Sequence, residues 1–266
     1  MVIRRIREHV ETHNWFAVAI DVVIVVIGVF LGTQVNNWNE ERLESVRANE
    51  YRIRLIDELD FDAHQYAVQT AYYRQARDYG LQALAALDGT KPLSARDFLV
   101  AAYQLTQTDT TKAKTYVYDE MSATGLVDHL GDSDIQQLAS DFYLSSEVAQ
   151  RDLENIYPYR TILREVMPYG VQKRIRSECG DRNVLYKHRL VGVSTVVPCS
   201  MAIDSAEAAT AARAVRSAPG IQPQMTRYLA SLDEKLDNLI LSEEQAADFR
   251  DRLIGASGRR APKAPA

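Results

Sequence analysis

The chain has 266 residues, with 31 Lys+Arg against 36 Asp+Glu and a formal net charge of −5, which argues against the clustered positive charge of a non-specific nucleic-acid binder. Hydrophobic residues make up 46% and charged residues 25%, enough to bury a core, so wholesale disorder is excluded as well. With only 12 Gly and 8 Pro, neither a loop-rich sandwich nor a glycine-dependent nucleotide site is expected.

After a short head over residues 1–14, Trp15 to Val35 reads WFAVAIDVVIVVIGVFLGTQV, and Asp21 is its only formal charge. About 20 helical residues span roughly 30 Å, the hydrocarbon thickness of a bilayer. Trp15 and Trp38 bracket the run, as indoles do at the headgroup level. A buried soluble helix is the alternative, and a β-branched, nearly charge-free run disfavours it. A cleaved signal peptide fits poorly, because GTQVNNWNEERLE lacks a small-x-small site and the run exceeds a usual h-region. The expectation is a retained transmembrane helix over 15–38, with the lipid bilayer as its partner.

Arg4, Arg5 and Arg7 precede the run, and Arg42, Arg47, Arg52 and Arg54 follow it among acids, so Lys/Arg counting does not fix the orientation. Cys179 and Cys199, twenty positions apart, are either a disulfide, which needs an oxidising compartment, or two separate buried thiols. The first option places the C-terminal domain outside the cytoplasm. Within the span, Ala17, Asp21, Gly28 and Gly32 fall along one face at the helical period. The Gly-x-x-x-Gly pair lets two backbones approach closely, so this face is the candidate surface for homo-oligomerisation. Asp21 is either part of that face or simply hydrated near the interface.

Beyond the span, residues 39–88 read as one long helix continuing from the membrane, with coiled-coil-like spacing of Leu43, Val46, Tyr51, Leu55, Leu59, Tyr66, Tyr73 and Leu84 and a stop near Asp88-Gly89. Ser94 is the expected N-cap of ARDFLVAAYQLTQ. TDTTKAKT is a polar break, and TYVYDEMSAT a short helix closed by Gly125. Asp132 or Ser133 caps a longer amphipathic helix, which Pro158 is expected to kink rather than end. These elements make a bundle over 94–170. Residues 171–203 are expected to be an irregular clip holding a short hairpin, 205–256 to be helices with Ser242 capping the last, and 257–266 to be a disordered tail. The fold class expected is mainly α, with at most one small β element.

The N-terminal block IREHVETHNWFAVAIDVVIVVIGVFLGTQVNNWNEER resembles the start of an uncharacterised bacterial family of single-pass membrane-anchored proteins, the DUF6090 type. The block TYVYDEMSATGLVDHLGDSDIQQLASDFY is similar to that family's segment before its next helix, with Ala123-Thr124-Gly125 where the family has Ser-Gly or Ser-Ser-Gly. The resemblance implies a bacterial inner-membrane anchor and a helical fold, and supplies no catalytic residue.

No phosphate loop, His-Glu-x-x-His, nucleophile elbow or Cys-x-x-Cys is present in the sequence. His9 with His13, and Asp60 with His64, are i,i+4 pairs, but two ligands do not make a metal site. Asp119-Glu120 is expected to fix a helix to its neighbour, and the 14 tyrosines to serve as packing groups. The reading is therefore not an enzyme and needs no catalytic, cofactor or metal residues. It is a membrane-anchored structural or interaction protein with an unidentified protein partner, the alternative being a ligand-sensing bundle acting through a partner.

Overall fold

The computed structural model describes residues 15–259; the head 1–14, residues 260–266 and the side chains of Ala17, Val18 and 257–259 lie outside the described residues. Proline-free sequence rich in Ala, Leu, Glu and Arg lets helix α1 run from Trp15 to Leu87, 73 residues. It stops where Gly89 adopts a left-handed φ of 75°, a conformation that glycine takes without a Cβ penalty. The chain divides into two units, Met1–Tyr51 and Arg52–Ala266. The described part of the first is the N-terminal stretch of α1. The second is a helical bundle with a single two-stranded antiparallel sheet among the described residues.

In the second unit, α2 (Ala95–Gln104) begins at Ser94, whose hydroxyl accepts the Asp97 N–H at 3.1 Å, satisfying one of the amides a helix start leaves open. Helix α3 (Tyr116–Ala123) ends ahead of Gly125 at φ 72°, and a 3₁₀ turn (Leu126–His129) follows. Asp132 caps α4 (Ser133–Leu153) by accepting the Ile135 N–H at 3.2 Å. Helices α5 (Pro158–Val166) and α6 (Tyr169–Cys179) lead to strands β1 (Arg182–Tyr186) and β2 (Arg189–Ser194). Asp204 caps α7 (Ser205–Arg216), and α8 (Ile221–Arg259) closes the unit.

The core forms where α8 packs on α4 and α5, and α2 packs on α7 and α6. Leu55, Leu59, Phe98, Phe142, Tyr159 and Phe249 are among its large closed-off side chains; each such burial contributes about 1.5–3 kcal/mol. From Glu58 to Tyr73, α1 is covered on most of its circumference, leaving only His64 and Ala71 exposed.

Four expectations change. Pro158 does not kink a continuing helix: α4 ends at Leu153 and Pro158 opens α5, since proline's missing N–H costs nothing at a first helical position. Ser242 is not a cap. It sits inside the unbroken α8, 2% exposed, with its hydroxyl donating to Asn238 O at 2.9 Å, the back-bonding that lets serine ride within a helix. The clip over 171–203 starts with regular helix, because Val171, Ile175 and Cys179 recur every four residues and are all buried. Helix α8 reaches Arg259, into the stretch expected to be tail, and 260–266 lie outside the described residues.

Candidate functional site

Near the N-terminus, the helix Ala19–Leu87 is long and apolar enough to cross a membrane, and none of its most apolar window is buried inside the protein. Trp15 and Trp38 are both exposed, at 69% and 64%. They lie about 35 Å apart at 1.5 Å per residue, close to the distance between the two edges of a hydrocarbon core. Asp21, Gly28 and Gly32 share one face at 100° per residue. A Cβ added at Gly28 or Gly32 would meet nothing within 4 Å, so that strip of backbone is open to a neighbour. Ala17, the fourth residue assigned to this face, has its side chain outside the described residues.

In the second unit, the polar break after α2 takes part in a second arrangement. Residues 107–115 have no regular structure, so their backbone amides and carbonyls have no ladder of their own, yet buried backbone polar groups need partners. The inner face of α1 supplies them. Asp62 accepts the Lys114 N–H at 3.0 Å, and just beyond the segment Glu58 accepts the Val117 N–H in the first turn of α3 at 3.3 Å. Gln65 and Gln69 both donate to Thr111 O, at 3.3 and 2.8 Å. The Tyr73 hydroxyl donates to Asp109 O at 2.9 Å and accepts the Asp109 N–H at 3.1 Å. The order is antiparallel, and the lengths agree: fifteen helical residues rise about 22 Å, and eight extended residues span about 26 Å.

Asp109 ties this strap to the hairpin. One carboxylate oxygen accepts from the Thr111 N–H and hydroxyl at 2.9 and 2.6 Å, and the other accepts the Val193 N–H at 3.2 Å. Gly192, at φ 148°, passes so close that a Cβ there would lie 2.7 Å from Asp109 Oδ2 and 3.0 Å from Val68 Cγ1. This is a position where a close backbone approach requires glycine.

Burial sets the electrostatics of the seam. Asp62 is fully buried, and desolvation, with the like charge of Glu58 adding to it, pushes its carboxyl up to about 8 against the opposing Lys114 N–H. Burial likewise raises Glu58, opposed by the Val117 N–H. Lys114, its ammonium 3.5 Å over the Phe61 ring, is lowered by burial. Lys235 on α8, 2% exposed, donates to Asp152 O at 3.1 Å and is also lowered by burial.

A second cluster lies at the surface of the same unit. The hairpin turn places Lys187 and His188 at φ 48° and 61°, the left-handed pair a two-residue turn demands. Neither residue is glycine, so the turn carries backbone strain, which contacts to α1 offset. Lys187 Nζ reaches Asp57 at 2.7 Å and Asp60 at 3.0 Å, and Arg189 reaches Asp57 at 3.1 Å. Tyr186 donates to Asp60 at 2.8 Å and stacks on His64 at 3.7 Å, and Arg250 from α8 meets Asp60 at 3.0 Å. The hydrogen bond from Lys187 holds Asp57 below the usual carboxylate range. Asp60 is lowered too, because Lys187 and Tyr186 overcome its partial burial. Asp60 and His64, the pair weighed as metal ligands, thus serve as a docking surface for the hairpin. Among the described residues no group of three or more His, Cys, Asp or Glu is placed to hold a metal; His9 and His13 lie outside the described residues.

Cys179 and Cys199 are joined by a disulfide that closes the loop carrying the hairpin. Glu120 pairs with Arg54 at 3.0 Å, linking α3 to α1, and Asp119 accepts from the Thr115 hydroxyl at 2.7 Å. Tyr66, Tyr72, Tyr73, Tyr103 and Tyr159 are buried packing groups. The Glu58, Asp62, Gln65, Gln69, Tyr73 seam was absent from the sequence-based candidates. Its signal was present, as polar residues repeat there at i, i+4, i+7 and i+11 on a face that otherwise reads as core. Comparison of the chain with protein-family models, with curated proteins and with solved structures gives no match.

Proposed function

We propose that the chain is a single-pass membrane protein of structural or interaction type, anchored through residues 15–38 and presenting its helical unit on the extracytoplasmic side of a bacterial inner membrane. The observation that carries the reading is the apolar, uncovered helix bracketed by Trp15 and Trp38. A lipid bilayer makes so large an exposed apolar surface favourable. The Cys179–Cys199 bond supports the extracytoplasmic side, since such bonds persist in oxidising compartments. The resemblance of the N-terminal block to DUF6090-type proteins supports the bacterial inner membrane. The Gly28 and Gly32 face supports association with a second copy or a membrane partner. The soluble unit contributes binding surface rather than catalysis, with its buried carboxylates committed to backbone amides. Cysteine labelling of intact cells with a membrane-impermeant reagent tests the topology. A cysteine introduced at exposed Tyr169 should react from outside, whereas reaction only after lysis would refute the extracytoplasmic placement.

One observation favours a ligand-sensing role as the second reading. A groove of about 370 Å³ beside the disulfide is lined by Asp78, Tyr79, Asp97, Val100, Val197 and Pro198, within the size range of small-molecule sites. A thermal-shift screen of small molecules separates the two readings, because a ligand that binds the native state raises the melting temperature.

A further inference from the structure

The strap over residues 107–115 meets α1 across a set of acceptors that lacks donors. Gln65 and Gln69 each turn their amide N–H toward Thr111 O, which fixes their orientation, because a flipped amide would set oxygen against oxygen. Among the described residues, Gln65 Oε1, Gln69 Oε1 and Asp62 Oδ2 are buried without a hydrogen-bond partner. An ionised carboxylate only accepts, so it satisfies none of them. A proton on Asp62 Oδ2 turns that oxygen into a donor, and Gln65, three residues on, is its neighbour on the same helix face. One proton thereby gives a donor to a buried site made only of acceptors.

We infer that Asp62 is a proton-operated latch for residues 107–115: protonated, it lets the strap lie against α1; ionised, it draws in water and releases the strap. The charged and titratable groups bearing on it are Glu58 and Tyr66 on α1, Lys114 on the strap, Tyr143 on α4 and Arg189 on β2. Lys114 and Arg189 favour the ionised form. Burial and Glu58 oppose it and prevail, placing the transition near pH 8. The latch closes as pH falls through that value and opens as pH rises.

The strap carries its own reporters, Lys112 and Lys114, both cleavable by trypsin. The full-length protein in detergent is digested at pH 7 and pH 9, with rates at these two bonds measured by mass spectrometry and normalised to a free peptide of residues 108–117. The ionised fraction of a group titrating near 8 rises from about one-tenth to about nine-tenths, so normalised cleavage is expected to rise up to about ninefold. Asp62→Asn, which keeps an acceptor and adds a permanent donor, abolishes the rise. A wild-type rate that stays flat, or an equal rise in Asp62→Asn, overturns the latch. Should Asp62→Asn fail to fold, carboxyl-¹³C NMR of aspartate-labelled wild type carries the test. One aspartate titrating near pH 8 in step with cleavage supports the inference, and all aspartates titrating below pH 5 overturns it.

Discussion

Breaking the Cys179–Cys199 bond tests how the hairpin region is held. The bond joins residues 20 apart in sequence, and Cys179 is fully buried at the end of α6, with its carbonyl accepting from Gln104 Nε2 at 2.8 Å. In the chain-entropy description, a loop of that length removes about 11 cal/mol/K from the unfolded chain, or about 3 kcal/mol at 25 °C. Urea denaturation followed by far-UV circular dichroism, with and without reductant, reads this directly. With a slope of about 2 kcal/mol/M, the midpoint falls by about 1.5 M on reduction. The variant carrying both Cys179→Ala and Cys199→Ala should show a similar drop and no further response to reductant. A midpoint that reduction leaves unchanged would refute the reasoning, because it would mean that the hairpin and clip hold the chain ends without the cross-link.

Three other outcomes follow from the geometry. Gly192→Ala sets a methyl 2.7 Å from Asp109 Oδ2 at φ 148° and should destabilise by roughly 2–3 kcal/mol, seen as a melting temperature lower by about 5–10 °C; an unchanged melting temperature would show that strap and hairpin move apart freely. Asp62 is raised from 3.8 to about 8, so between those values the unfolded chain binds fewer protons than the folded one, and stability falls as pH rises across the window. The fall amounts to at most about 6 kcal/mol and is reduced by any water that enters; urea midpoints at pH 5 and pH 8 check it, and Asp62→Asn should flatten the trend. Gly28→Ile should weaken cross-linking of the protein in membranes severalfold, and a strict monomer before and after the substitution would count against the association face.

The legible parts of the fold were those written in local chemistry. Ser94 and Asp132 announce helix starts because a short side-chain acceptor beside a free amide stabilises a cap whatever surrounds it. The apolar run from Trp15 is equally explicit. Pro158 is ambiguous in sequence because YRTILREVM keeps a helical pattern on either interpretation, and only packing decides whether a proline kinks one helix or starts another. Ser242 looked like a cap for the same reason, as its hydroxyl bonds equally well within a helix. The seam stayed hidden because its partners, Asp109 to Val117, lie more than 35 residues from it in sequence. A polar residue on an inner helix face shows its purpose only once the backbone it serves has been placed.

The central claim is tested most directly by cell fractionation. After lysis and ultracentrifugation, full-length protein should remain in the pellet through an alkaline carbonate wash and leave it only with detergent. Recovery of the intact chain in the detergent-free supernatant would contradict the anchor, and with it the proposed role.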